Sequence, residues 1–164
     1  MNLSDNTIKR YQEIIPLFNE WEVETPTGWT PLNHIMRTIP YEVWRITFTD
    51  RNHIEGADTH ILIDAEGREV FLKDCKPGDS IRSRNGVSTV SFVDQLLFLQ
   101  EMFDLDLNDT DHVFWTNDVL SHNCVLSDTM VTIQTEDGIE KEISMGDLYK
   151  QLCINEEVEI TDEF

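Results

Sequence analysis

The chain has 164 residues, 40 % of them hydrophobic, and a formal net charge of −20 from 12 Lys+Arg against 32 Asp+Glu. That apolar content suits a globular core and argues against disorder. The acidity is spread along the chain, with 21 acidic and 10 basic side chains in residues 1–123 and 11 and 2 in residues 124–164; no basic stripe is present to meet phosphates, which argues against a nucleic-acid partner.

No apolar run is long enough to span a bilayer and no signal-peptide pattern opens the chain. A cytoplasmic protein with no membrane association is therefore expected. The three cysteines, Cys75, Cys124 and Cys153, form no C-x-x-C pair. That spacing points away from a disulfide scaffold and from a structural zinc site.

In chain order, residues 4–15 are predicted as a short helix, capped by Ser4 and ended by Pro16. Trp21–Glu24 alternates like a strand, and Thr25-Pro26-Thr27-Gly28 reads as a turn into a second strand. Residues 41–49 place Tyr41, Val43, Trp44, Ile46 and Phe48 in a strand pattern. Residues 67–73 and 79–92 give further strands, with Asn85-Gly86 as a hairpin turn. Residues 95–102 are apolar and fit helix or strand. Asn117-Asp118 tolerates the left-handed geometry of a tight turn between two alternating runs. Val131 and Ile133 alternate in a strand, Asp137-Gly138 makes the turn, and Ile143 returns. Ser144 then caps a helix carrying Leu148 and Leu152. Cys153 is placed just after that helix, and the acidic tail of residues 156–164 reads as an edge strand or a frayed end. Many short strands with regular turn signals predict an all-β fold with one or two short helices. Val131, Ile133, Ile46, Phe48, Ile61, Ile63, Phe114 and Val119 are expected to form its core.

Residues 121–124 read Ser-His-Asn-Cys. An Asn side-chain amide can attack its own backbone carbonyl, form a succinimide and break the bond on its C-terminal side. A neighbouring His can move the protons, and a Cys just beyond supplies a strong nucleophile.

The surrounding residues resemble the splicing blocks of inteins, the self-excising Hedgehog/intein (Hint) domains. Phe103-Asp104-Leu105, Leu107, His112-Val113-Phe114, Asn117-Asp118 and His122-Asn123 are similar to the C-terminal block. Residues 124–152, beginning at Cys124 and including Asp128-Thr129, look like the N-terminal block. Residues 46–81 are similar to the internal block, with His60 at its His and Gly78-Asp79 at its Gly-Asp. Here the sequence departs from the pattern: Ala57 stands three residues before His60, and Thr59 is adjacent to it. The block order is that of a C-terminal fragment, 1–123, preceding an N-terminal fragment, 124–164, as in a circular permutant of a split intein.

The resemblance implies a single Hint domain over residues 1–164 with a horseshoe-like β fold. It implies Cys124 as the nucleophile of an amide-to-thioester shift and Asn123 as the cyclising residue. His60 would protonate the departing amine, with Thr59 beside it. His112 and His122 would assist cyclisation, and Asp104 would tune the site. No cofactor and no metal are expected. The partners implied are flanking extein polypeptides or the complementary fragment, and a monomer is expected. Because family order makes them consecutive, residues 1–20 and 153–164 are expected to lie close together. Two other classes stay open: a non-catalytic Hint-like scaffold acting as a binding module, and a metal-binding protein using His60, His122 and Cys124. His34 and His53 match no block position and read as structural. Cys75 reads as a small core residue.

Overall fold

The computed structural model describes residues 11–17, 20–109, 111–122 and 124–162, with side chains to Cys153 in the last segment. Among these the chain forms fourteen strands, a 3-10 turn at Leu72–Asp74 and one helix. The strands belong to two sheets. No helix among the described residues is long and apolar enough to cross a membrane.

The first sheet runs in the order β1 (Tyr11–Pro16), β3 (Gly28–Thr38), β2 (Trp21–Thr25), β13 (Met130–Thr135), β14 (Glu140–Ser144), with β10 (Phe103–Leu107) also paired to β3. The β2–β3 hairpin closes at Thr25↔Gly28, where Gly28 takes φ 115°. Such a turn is open to glycine without steric cost. The strand at Tyr11–Pro16 corrects the predicted helix; residues 4–10 of that prediction lie outside the described residues. Antiparallel pairing to β3, from Tyr11↔Thr38 to Pro16↔His34, outweighs the local helical pattern.

The second sheet runs β5 (His53–Gly56), β4 (Tyr41–Phe48), β9 (Gly86–Gln100), β8 (Ser80–Ser83), β12 (Val119–His122), β6 (Ile61–Ile63), β7 (Glu69–Phe71), with β11 (Phe114–Thr116) on β12. The apolar stretch at 95–102 is strand through Gln100, as the continuation of β9 along β4. Two register shifts in that pairing, at Glu42/Trp44 and Thr47/Phe48, let the long ribbon coil. Asn117 and Asp118, at φ 47° and 66°, turn β11 into β12.

The helix α1 (Met145–Asp162) follows β14, and the Asp147 amide donates to Ser144 Oγ at 3.2 Å, the cap that the sequence suggests. Its range corrects two expectations. Cys153 lies inside the helix, and the backbone of residues 156–162 is helical rather than a strand or a frayed end.

Apolar burial is divided among four clusters. Phe114, Val131 and Ile133 pack with Leu148 and Leu152 of α1. Ile46, Phe48 and Val119 pack with Cys75. Ile61 and Ile63 pack with Trp115. Val43, Ala57, Met102, Cys124 and Leu126 form a fourth group. All eight residues predicted as core are buried, but they do not share one core. The clusters do not follow the sheets: Phe114, from β11 of the second sheet, packs in the cluster that holds Val23 and Ile133 of the first.

The segment after Cys124 is stitched into both sheets. β13 lies between β2 and β14. Asn117 accepts from the Met130 amide on Oδ1 at 2.7 Å and donates through Nδ2 to the His53 carbonyl at 2.9 Å. Arg37 Nε donates to the Tyr149 hydroxyl at 3.1 Å, and the Phe103 and Tyr149 rings meet at 5.1 Å. Cys153 Sγ donates to Glu13 Oε1 at 3.7 Å, so the described part of the first segment meets the last described side chain. The remainder of segments 1–20 and 153–164, at 1–10, 18–19 and beyond Cys153, has no described side chains with which to extend that comparison.

Candidate functional site

Cys124 to Leu126 run as a short extended segment between β5 and β10. Val125 bridges Gly56 on one side and Phe103 on the other. Its amide donates to the Phe103 carbonyl at 2.9 Å, and its carbonyl accepts from the Phe103 amide at 2.8 Å. The Leu126 amide donates to the Glu55 carbonyl at 3.2 Å, and the Cys124 carbonyl accepts from the Ala57 amide at 3.4 Å. Backbone pairing on both flanks thus fixes where Cys124 sits, and its side chain is fully buried.

Gly56 is what lets this segment approach. A Cβ at that position would stand 2.8 Å from the Cys124 carbonyl oxygen and 3.2 Å from both Cβ and Cγ of His60. Glycine inside a strand is one of the ways that two backbones come this close. The buried His60 and the Cys124 carbonyl thus both lie against Gly56. His60 is placed by a tight turn in which its amide donates to the Ala57 carbonyl at 3.0 Å. Its carbonyl accepts from the Leu72 amide at 2.8 Å, which anchors the turn to the 3-10 segment. In that turn the Thr59 amide donates to Asp58 Oδ1 at 2.9 Å. The Thr59 hydroxyl is buried without a hydrogen-bond partner among the described residues.

A second group surrounds a cavity of about 230 Å³ lined by Tyr11, Met36, Asp104, Leu105, Asp106, His112 and His122. Asp104, on β10, is buried; its carboxylate accepts from the Tyr11 hydroxyl at 3.2 Å and from the Leu105 amide at 2.8 Å. Burial pushes its pKa up to about 7 from an ordinary 3.8, against the two hydrogen bonds, which pull it down, and with a further rise from the Asp106 charge. Tyr11 packs against the cluster that contains Cys124. Burial raises its pKa far above the ordinary value, and the Asp104 and Cys124 charges raise it further. Tyr11 thus hydrogen-bonds Asp104 while it packs on the cluster that holds Cys124, and no sequence motif marks it, since it falls in a stretch with a helical pattern.

His122, on β12, is buried and its Nε2 lies 3.8 Å from Glu69 Oε1. His112 differs. It sits in a left-handed loop at φ 54°, its amide donates to Asp109 Oδ1 at 2.8 Å, and its side chain is 49 % exposed at the mouth of the cavity. The structure therefore sets His60 and the Cys124 carbonyl against Gly56, and gathers Tyr11, Asp104, His112 and His122 around the cavity. Asn123 lies outside the described residues. Among the described residues, His60, His122 and Cys124 do not bring donor atoms together as a ligand set. His34 and Asp106 pair at 2.8 Å.

Three solved structures place this architecture. The crystal structure of the VidaL intein is 18 % identical with a TM-score of 0.58, over 63 % of this chain and 70 % of that one. A consensus engineered intein, Cat, with an atypical split site, is 20 % identical with a TM-score of 0.57, over 69 % and 90 %. A DnaB intein from Synechocystis sp. PCC 6803 is 16 % identical with a TM-score of 0.52, over 74 % and 85 %. The chain has the Hint fold. No family model and no curated protein matches the sequence. At these identities the likeness is one of fold, and function rests on the chain's own residues.

Proposed function

We propose that this Hint domain is an intein-type splicing element that acts once, on its own Asn123–Cys124 peptide bond. The observation that carries the reading is the burial of Cys124 between β5 and β10, with His60 packed against the same Gly56 that touches the Cys124 carbonyl. The intein fold of its structural neighbours supports it.

Two reactions meet at the Asn123 carbonyl carbon. In the first, Cys124 Sγ attacks that carbon, a C–S bond replaces the C–N bond, and the thiol proton passes to the freed α-amine of Cys124. His60 is the group assigned to that transfer. In the second, the Asn123 side-chain nitrogen attacks the same carbon. A succinimide closes on residue 123, the bond to residue 124 breaks, and the amide proton leaves with Cys124. His122 serves this step, with His112 at the cavity mouth and Asp104 as a buried carboxyl near neutrality. Thr59 supports the turn that carries His60. Donors held in place in a water-poor interior are what such proton transfers require.

With both reactions on one carbonyl, the outcome for this chain is cleavage rather than the joining of two flanking polypeptides. That arrangement is the one expected of a split intein with residues 1–123 placed ahead of residues 124–164 in a permuted order. The contacts of Glu13 with Cys153 and of Arg37 with Tyr149 favour it, since they join the two fragments. The natural partners would then be flanking extein polypeptides or the complementary fragment, met by a monomer in a reducing, cytoplasmic setting.

Mass spectrometry of the chain incubated with a phosphine reductant tests this. Fragments 1–123, ending in a succinimide, and 124–164 are expected, and Asn123→Ala stays intact. Hydroxylamine then cleaves Asn123→Ala at the same bond, provided that Cys124 is present. Cleavage of Asn123→Ala at the parent rate without hydroxylamine excludes cyclisation. A parent chain that stays intact with and without hydroxylamine leaves a non-catalytic Hint scaffold.

A further inference from the structure

Outside the splicing centre, one group of side chains has the composition of a ligand set. His53 and Glu55 are two residues apart on β5, so their side chains leave the same face of the strand. Asp128 reaches that face from the turn that follows Val125. The Leu126–Glu55 backbone hydrogen bond and the Gly56↔Val125 bridge bring it there. One ligand atom from each of the three lies within 4.8 Å of the others. Glu55 is buried at 8 % exposure, whereas His53 is partly exposed and Asp128 exposed, so an ion has a path in from solvent.

We propose that His53, Glu55 and Asp128 bind a divalent transition-metal ion of the zinc class. One imidazole and two carboxylates make a borderline nitrogen–oxygen donor set, which suits zinc and its first-row neighbours and leaves a coordination position for water. Magnesium and calcium favour shells made of oxygen alone. Zinc holds nitrogen and oxygen ligands at about 2.0–2.2 Å, and rotation of the exposed His53 and Asp128 side chains draws the three donors to that range around one centre. The backbone beneath His53 is held by the Asn117 amide at 2.9 Å.

Arg45 sets the strength of this site. Its Nε and Nη2 lie 2.8 and 2.7 Å from Glu55 Oε1. The guanidinium orients the carboxylate and at the same time competes with any cation for its charge. The bound ion joins β5 to the segment that begins at Cys124, two elements otherwise tied by backbone pairing.

Isothermal titration of the full chain with zinc chloride, in a phosphine reductant, tests the proposal. A single site is expected. His53→Ala and Asp128→Asn each weaken it by at least about tenfold, the scale on which even supporting groups around a metal act. Arg45→Gln tightens it, and Cys124→Ala leaves it unchanged. Circular dichroism of each variant reports its fold, and the cobalt spectrum of the parent provides a readout without substitution: nitrogen and oxygen donors give no thiolate charge-transfer band. A thiolate band, loss of binding in Cys124→Ala alone, or unchanged binding in folded His53→Ala and Asp128→Asn overturns the assignment.

Discussion

Gly56 lies so close to the Cys124 carbonyl that a side chain at position 56 would meet its oxygen at 2.8 Å. The obstacle is backbone paired on both flanks, so it cannot swing aside as the end of a flexible side chain would. Gly56→Ala is expected to cost about 1–3 kcal/mol of stability, the range for inserted methyl groups in tight interiors. It should also displace His60, whose Cβ and Cγ would stand 3.2 Å from the new methyl, and slow cleavage. Urea melts and a cleavage time course check both, and a variant with parental stability would show that the two strands have room to part.

Asp104 makes stability depend on pH. Its carboxyl is raised from 3.8 to about 7 by burial. Between those values the folded chain binds more protons than the unfolded chain, so this group's contribution falls as pH rises through the interval and levels off above it. Asp104→Asn, which stays neutral, should remove that part of the slope, worth up to a few kcal/mol across the window. Denaturant melts of both proteins from pH 4 to 8 measure the difference; parallel curves would place the titration elsewhere.

Phe114 is fully buried between the β11–β12 hairpin and the strands of the first sheet. Phe114→Ala should cost on the order of 3–5 kcal/mol. Thermal unfolding at the parent temperature would remove it from the core.

Cys75 should be chemically silent. It is buried, and its thiol is pushed up to about 12, first by burial and then by the charges of Asp79, Asp74 and Asp64. A thiol so rarely ionised reacts slowly with alkylating agents. Peptide mapping after iodoacetamide at pH 8 should find Cys75 unmodified in the folded chain and modified in urea; rapid labelling of the folded chain would contradict its burial.

Much of the fold can be read locally. Thr25–Gly28, Asn85-Gly86, Asn117-Asp118 and Asp137-Gly138 carry their turns in the residues themselves, and Ser144 caps the helix that it precedes. The segment Tyr11–Pro16 could not be read this way, because its conformation is set by β3, more than a dozen residues on. Strand pairing at that distance leaves little trace in a local pattern. The eight expected core residues are each inside, but periodicity says which side of a strand is buried and not which other strand it meets, so the division into four clusters stayed hidden. At the site, block resemblance pointed to His60, Asp104, His122 and Cys124, and Tyr11 carried no comparable signal. Gly56 did carry one: a lone glycine in a short alternating run is a reason to look for a close backbone neighbour.

The place of β13 inside the first sheet has a kinetic meaning. A cut after residue 123 alters the covalent path of the chain and leaves both sheets whole. Detaching 124–164 would strip Trp21–Val23 of its neighbour strand and uncover Phe114. Departure of that piece is thus a partial unfolding, paced by the barrier to opening a sheet rather than by diffusion, and the naked β2 edge would favour recapture or aggregation. The two polypeptides would migrate as one particle in a sizing column and as two bands once denatured.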